Sequence, residues 1–162
     1  MNIYRKAYSV VGALLLLEYL GQFYLIAMAV FTVGAAHGST NPHTIYSAFK
    51  NADTFAGLHF FEGMVVIPIT TLVLIGLSFA ARHPRKTTWQ TAGLLGLLVI
   101  QAGLVEIHIP LVSALHALNA ILLVSLGSWL CWNNWAFRRQ PAPLAAPGWR
   151  PEPEPEPEPA RV

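Results

Sequence analysis

Long apolar stretches, each with at most one charged side chain, alternate with short polar segments along the chain. The isolated charges inside these stretches are Glu18, Glu62 and Glu106, and the last stretch has none. A helix needs about 20 apolar residues to cross the hydrocarbon core of a bilayer, and the stretches lack the alternation typical of membrane barrel strands. The pattern predicts four transmembrane helices, near residues 8–34, 54–81, 88–108 and 110–135.

These four segments predict an all-α fold, an integral membrane antiparallel up-and-down four-helix bundle over residues 1–140. The connection at Pro110 is so short that the third and fourth helices must form a tight hairpin. Residues 37–53 are polar and predict a longer outer loop. Residues 141–162 contain a Pro-Glu repeat and predict a disordered tail, because proline removes backbone donors and the segment has few apolar residues.

Basic residues alternate along the chain in the way that sets membrane orientation. Seven lie at the N-terminus, in the second loop and after the fourth helix, whereas only Lys50 lies in the remaining loops. The positive-inside rule therefore predicts that both termini face the cytoplasm, and four tryptophans fall at the same interface. We expect a protein of the bacterial cytoplasmic membrane. The basic residues and tryptophans are Arg5, Lys6, Arg82, Arg85, Lys86, Arg138, Arg139, Trp89, Trp129, Trp132 and Trp135.

The composition narrows the possible functions. Of 162 residues, 54% are hydrophobic and only 11% are charged, against about 25% charged in a soluble domain. This excludes an ordinary soluble enzyme and a nucleic-acid binder built on a basic patch. The single cysteine, Cys131, excludes a disulfide framework, a cysteine zinc site, an iron–sulfur cluster and covalent c-type haem. No nucleophile–base pair for catalysis is evident.

Two histidines within the predicted helices are candidate metal ligands. His59 lies five residues into the second predicted helix and His116 six residues into the fourth, which places them about 7 Å and 9 Å deep at a rise of ~1.5 Å per residue. Both helices run inward from the outer face, so the two rings share one level. Diagonal helices of a bundle lie about 13 Å apart, a spacing that suits a flat cofactor between two imidazoles.

The neighbours of each histidine are alike. Glu62 and Asn119 follow their histidines at i+3 and share a helix face with them, while Gly63 and Ala120 follow at i+4 and leave room for a macrocycle. His108, at the outer end of the third predicted helix, would be within reach of the acidic groups of such a macrocycle. The alternative is that each histidine only makes hydrogen bonds between helices, and that the small residues serve close helix packing.

The stretch from Leu97 through Trp132, with Gln101, Gly103, Pro110 and His116, resembles the third and fourth helices of one half of haem A synthase. The stretch from His59 to Gly63 resembles the second helix of such a half. The whole chain also looks like a family of small four-helix bacterial membrane proteins of unassigned function. In the half of haem A synthase that holds haem b, one histidine from the second helix and one from the fourth bind the iron, and the resemblance assigns these roles to His59 and His116.

The chain departs from the catalytic half of that family. Ala56 and Phe60 stand where a glutamate and an arginine are typical, the outer cysteine pair is missing, and there is one bundle instead of two. The resemblance therefore implies a haem b-holding bundle, similar to a cytochrome b, and not haem A synthesis. Two axial histidines favour electron transfer over oxygen binding, with a quinone or an outer-face redox protein as the partner.

The residues leave two other functions open. The chain could be a cofactor-free accessory subunit of a membrane redox complex, or could hold a metal through His59, Glu62, His108 and His116.

Two features of the helix interiors carry further expectations. A hydrogen bond between Glu18 and Gln101 is the simplest way to accommodate both side chains in the membrane, and proton delivery to a quinone is the other possible role for Glu18. Pro68 predicts a kink in the second helix.

Overall fold

The computed structural model describes residues 3–137, and this part of the chain is helical with short connections. The helices are α1 (Ile3–Ala35), α2 (Pro42–Phe61), α3 (Ile67–Ala80), α4 (Arg85–Glu106), α5 (Pro110–Ser113) and α6 (Leu115–Asn133), with a π-helical turn (Glu62–Val66) between α2 and α3. The predicted all-α fold is confirmed. The predicted tail, residues 141–162, lies outside the described residues.

Within residues 3–137, four helical spans are long and apolar enough to cross a membrane: Ile3–Ala35, Pro42–Ala80, Arg85–Glu106 and Pro110–Asn133. Most of their large apolar side chains are exposed, which is the expected surface of a bundle that faces lipid. The chain is therefore an integral membrane protein. The first two spans form one antiparallel hairpin, which we call the long hairpin, and the last two form the short hairpin.

The boundary of the second span corrects the sequence prediction. Residues 37–53 were expected to form a loop, but α2 begins at Pro42. Asn41 is its N-cap, because the side-chain oxygen accepts a hydrogen bond from the backbone N–H of His43 at 3.0 Å, and proline fits the first position of a helix since its missing N–H needs no partner there. The loop between α1 and α2 is correspondingly short.

A π-helical turn lies directly before Pro68, where the sequence predicted a kink of the second helix. Ile67 donates its backbone N–H to the carbonyl of Glu62, five residues earlier. An i→i+5 turn holds one residue more than an α turn, and Pro68 follows directly as the second residue of α3. The turn begins three residues after His59.

The buried core fills only one half of the bundle. We call the two ends the basic end, which holds residues 81–84, and the His108 end. The large buried apolar side chains lie between the basic end and the level of His59, and they are Tyr8, Leu15, Tyr19, Ile67, Leu74, Leu94, Leu123 and Leu130. At the basic end Tyr8 and Thr91 share a buried hydrogen bond of 2.8 Å.

Toward the His108 end the two hairpins contact each other less. α1 packs closely on α2 through the small buried residues Ala29, Ala48 and Ala52. α1, α3, α4 and α6 pack around the core, whereas within residues 3–137 α2 makes no extensive contact with α4, α5 or α6. At this end α2 is therefore held mainly by α1, and the candidate site lies where the packed core ends.

Candidate functional site

The side chains of His59 and His116 meet between the two hairpins, where the packed core ends. Their ring centroids are 6.4 Å apart, with the ring planes inclined by 58°, and both residues are half-buried. One histidine belongs to each hairpin. Because α2 and α6 scarcely touch, the approach comes from the two side chains and not from close packing of the two helices.

The expected depth of His59 was measured from the wrong helix start. Counted from Pro42, His59 lies seventeen residues into its helix, or about 26 Å at ~1.5 Å per residue. The two rings still share a level, because the long hairpin extends past the end of the short one. Relative to the short hairpin, His116 lies six residues from Pro110, or about 9 Å.

Each histidine donates a hydrogen bond from one ring nitrogen to a backbone carbonyl of the neighbouring helix. His59 Nδ1 lies 3.2 Å from the carbonyl oxygen of Gln22 on α1, and His116 Nδ1 lies 3.1 Å from that of Gln101 on α4. A carbonyl can only accept, so Nδ1 must carry the proton in both rings. The lone pair of a neutral imidazole is then on Nε2, which is the usual state of a metal-binding histidine.

Glu62 and Asn119, three positions after His59 and His116, form hydrogen bonds with the side chains of the same two glutamines. Gln22 Nε2 donates to Glu62 Oε2 at 2.9 Å. Asn119 Nδ2 donates to Gln101 Oε1 at 2.6 Å and to the Leu97 carbonyl at 2.9 Å. Glu62 and Asn119 therefore lie beside the histidine pair, where the sequence placed them, but both contact a glutamine.

The two small residues at i+4 are Gly63 and Ala120, and Gly63 lies against one of the glutamines. A Cβ atom on Gly63 would lie 3.2 Å from Gln22 Oε1, so this glycine makes room for the glutamine side chain. Ala120 is half-buried on α6. His108 is exposed in the turn between α4 and α5, at a backbone φ of 56°, and its Nδ1 bonds to the Glu106 carbonyl of its own turn.

Gln22 was not singled out from the sequence, and Gln101 was given the wrong partner. The expected bond between Glu18 and Gln101 does not form, because Glu18 Oε1 accepts from Thr70 Oγ1 at 2.8 Å and Gln101 binds Asn119 instead. One sequence feature could have indicated Gln22. It follows Glu18 by one helical turn in a stretch otherwise almost free of polar side chains.

The donor set restricts which metal centre the site can form. Within residues 3–137, no three His, Cys, Asp or Glu side chains come close enough together to hold a metal ion. The four-residue metal site of His59, Glu62, His108 and His116 therefore has no geometric support. Two imidazoles suffice for an iron whose other four ligands come from a porphyrin.

The comparisons with known proteins name no activity. A model described as a family of unknown function (DUF6220) matches residues 46–109, which is less than half of the chain and includes His59 but not His116. No curated protein and no solved structure matches the chain.

Proposed function

We propose that the protein binds one haem b in the membrane through His59 and His116, and that it transfers electrons. The observation that carries the proposal is the close pair of imidazoles, 6.4 Å apart between centroids, each with its Nδ1 bonded to a carbonyl. The resemblance to the haem b-holding half of haem A synthase supports the same two ligands.

The separation of the rings is close to what two imidazoles on one iron would need. An imidazole nitrogen binds a metal at about 2.0 Å and lies roughly 1.1 Å from its ring centroid, so two imidazoles that share one ion have centroids at most about 6.3 Å apart. The observed 6.4 Å is close to this limit, so His59 and His116 could hold one iron between them.

Apolar side chains lie near the histidine pair along both helices. Phe60 and Phe61 on α2 and Leu115 and Leu118 on α6 are exposed, and they would be available to pack against a flat macrocycle. When bound there, a haem with two imidazole ligands supplies one-electron transfer. The chain's own part is to hold both rings at one level and to keep Nδ1 protonated.

The basic residues at the basic end support an orientation with that end in the cytoplasm. The histidine pair then lies in the outer half of the bilayer, about 9 Å from the end of the short hairpin. An electron partner would be a quinone in the outer leaflet or a redox protein on the outer face.

A cofactor-free accessory subunit is the second candidate, and the same hydrogen bonds favour it. Each imidazole already links two helices through Nδ1, so the pair could serve only to join α1 to α2 and α4 to α6. In that case the Nε2 atoms have no functional role, and the protein associates with a redox complex through its apolar surface.

Absorption spectroscopy separates the two candidates. Protein purified in detergent from haem-sufficient cells should show a reduced-minus-oxidised spectrum of low-spin haem b. His59→Ala and His116→Ala should each abolish the low-spin spectrum, because each removes one axial ligand. His37→Ala, which changes an exposed histidine at the end of α1, is the matched control and should keep it.

Two results would contradict the proposal. One is a colourless wild-type preparation from such cells, which contradicts haem binding and supports the accessory subunit. The other is a spectrum that survives both alanine substitutions unchanged, which contradicts His59 and His116 as the ligands.

A further inference from the structure

The histidine pair is held by two copies of one three-residue arrangement. In each copy a glutamine on the first helix of a hairpin accepts the histidine Nδ1 proton with its backbone carbonyl, and its side chain bonds to the residue three positions after that histidine. We call these copies the two clamps. They consist of Gln22, His59 and Glu62 in the long hairpin, and of Gln101, His116 and Asn119 in the short hairpin.

The side-chain hydrogen bond of each glutamine explains how its backbone carbonyl is kept opposite the histidine Nδ1. Every residue has a carbonyl, so the bond to Nδ1 depends on how the two helices are rotated and shifted relative to each other. Residues at i and i+3 lie on the same helix face. Gln22 therefore touches the partner helix at two points about one turn apart, which restricts both sliding and rotation.

The two clamps have opposite polarity. Gln22 donates its amide N–H to Glu62, whereas Gln101 accepts from Asn119. In the long hairpin, glycines make the close approach possible: a Cβ on Gly21 would lie 3.3 Å from Glu62 Oε1, and one on Gly63 would lie 3.2 Å from Gln22 Oε1. The lack of a side chain at Gly21 and Gly63 thus leaves room for the Gln22–Glu62 hydrogen bond.

We infer that Glu62 and Asn119 are positioning residues for the histidine pair, an inference that rests on the proposed function. They hold Gln22 and Gln101 so that each carbonyl keeps its histidine in the Nδ1–H form. A hydrogen bond at Nδ1 makes Nε2 a stronger electron donor, and a stronger axial donor favours the oxidised iron. The clamps thus set the reduction potential as well as the affinity of the site.

Glu62→Leu and Asn119→Leu test the inference, since each removes the side-chain bond while keeping a side chain of similar size. We expect a loss of haem affinity of about 10–100-fold for each, as for other groups that orient metal ligands. The reduction potential should rise, by about 59 mV for each tenfold loss specific to the oxidised form. The electron paramagnetic resonance g values of the low-spin iron should also change.

Glu106→Leu and Asn133→Leu are matched controls. Both residues are exposed, and among the described residues the Asn133 amide bonds within its own helix, to the Trp129 carbonyl. Both variants should keep the wild-type affinity, potential and g values.

Rescue distinguishes positioning from general destabilisation. Glu62→Gln keeps an acceptor for Gln22 Nε2 and should bind haem tightly. The double variant Gln22→Glu with Glu62→Gln reverses the bond, with the new amide donating to the new carboxylate, and should restore the g values lost in Glu62→Leu. If Glu62→Leu does not fold, recovery of folded, haem-loaded protein in the double variant supports the inference, and failure to recover it contradicts it.

The outcomes separate this inference from the proposed function. A wild-type protein without haem overturns both. A wild-type protein with haem, together with leucine variants whose affinity, potential and g values are unchanged, overturns the clamps alone.

Discussion

Gly127 lies where α6 meets α1 in the buried core. A Cβ atom there would lie 3.2 Å from Leu16 Cδ2 and 3.3 Å from the ring of Tyr19, and Tyr19 is only 4% exposed. The tyrosine ring has little room to move, because it is packed in the core on its other sides. A single added methyl group must therefore displace a buried aromatic side chain.

We expect Gly127→Ala to lower the free energy of unfolding by about 1–3 kcal/mol, as overpacked core positions do. Gly96→Ala is the control, because a Cβ there meets nothing within 4 Å and alanine is the better helix former. Thermal unfolding in detergent compares the two. Equal melting temperatures for the two variants would show that the core around Tyr19 adapts freely.

His83, in the loop at the basic end, is a source of pH dependence outside the membrane spans. Its ring lies against that of Tyr8, with centroids 4.6 Å apart, and its Nε2 is buried with no hydrogen-bond partner among the described residues. Burial, and secondarily the charge of Arg5, lowers the pKa of His83. The folded protein therefore favours the neutral ring.

A lowered pKa in the folded state means that the unfolded chain binds the proton more readily. The stabilising contribution of neutral His83 is complete above the unfolded pKa of about 6.5, falls as the pH drops through that value, and levels off below the folded pKa. Melting temperatures between pH 8 and pH 5 should therefore fall more steeply in the wild type than in His83→Asn. Parallel curves for the two proteins would contradict this assignment.

Among the helices and turns, the start of α2 depends on one capping residue. Asn41→Ala removes the bond to the His43 N–H and should cost about 1 kcal/mol, or roughly a fivefold increase in opening of the first turns. Trypsin cleavage after Lys50, which lies in α2, should accelerate accordingly. Thr40→Ala, beside the cap in the same loop, should leave the cleavage rate unchanged, and an equal acceleration in both would count against the cap.

The π-helical turn predicts an unusual tolerance to deletion. Because the turn holds one residue more than an α turn, removing exposed Met64 should convert it to regular helix and leave α3 in its packed register. Removing Leu72, exposed in the regular part of α3, rotates all later residues by about 100°. The Met64 deletion should fold and the Leu72 deletion should not, as judged by size-exclusion chromatography. The opposite order would refute this account of the turn.

The membrane spans could be predicted from the sequence because charged side chains are costly in lipid. The resulting long apolar stretches are visible along the chain and do not depend on contacts between distant residues. The prediction missed the start of α2, since the polar residues from His43 to Lys50 suggest a loop and the Asn41–Pro42 helix start was overlooked. It missed Gln22 because a neutral amide does not stand out among charges, and because its role depends on Glu62, forty residues away. The position of Glu62 on a π turn depends on packing that no local pattern reveals.

At the scale of the whole molecule, the distribution of basic residues predicts orientation. A periplasmic reporter fused after Val162 should be inactive, and one inserted at Gly38, in the loop between α1 and α2, should be active, because the positive-inside rule predicts that the basic end faces the cytoplasm. Reporter activity in the reverse pattern would mean that the basic end faces outward and that the histidine pair lies in the inner leaflet.

The two hairpins differ in height. Their basic ends are level, since Tyr8 on α1 bonds to Thr91 on α4, yet α1 continues for 33 residues and α4 for 22. At ~1.5 Å per residue, α1 and α2 stand about 17 Å taller than the neighbouring hairpin. This overhang leaves the histidine pair between unequal neighbours, with the tall hairpin of α1 and α2 on one side and the low turn at His108 on the other. If the pair holds the proposed haem, a redox protein from the aqueous side would have its shorter path over the low turn.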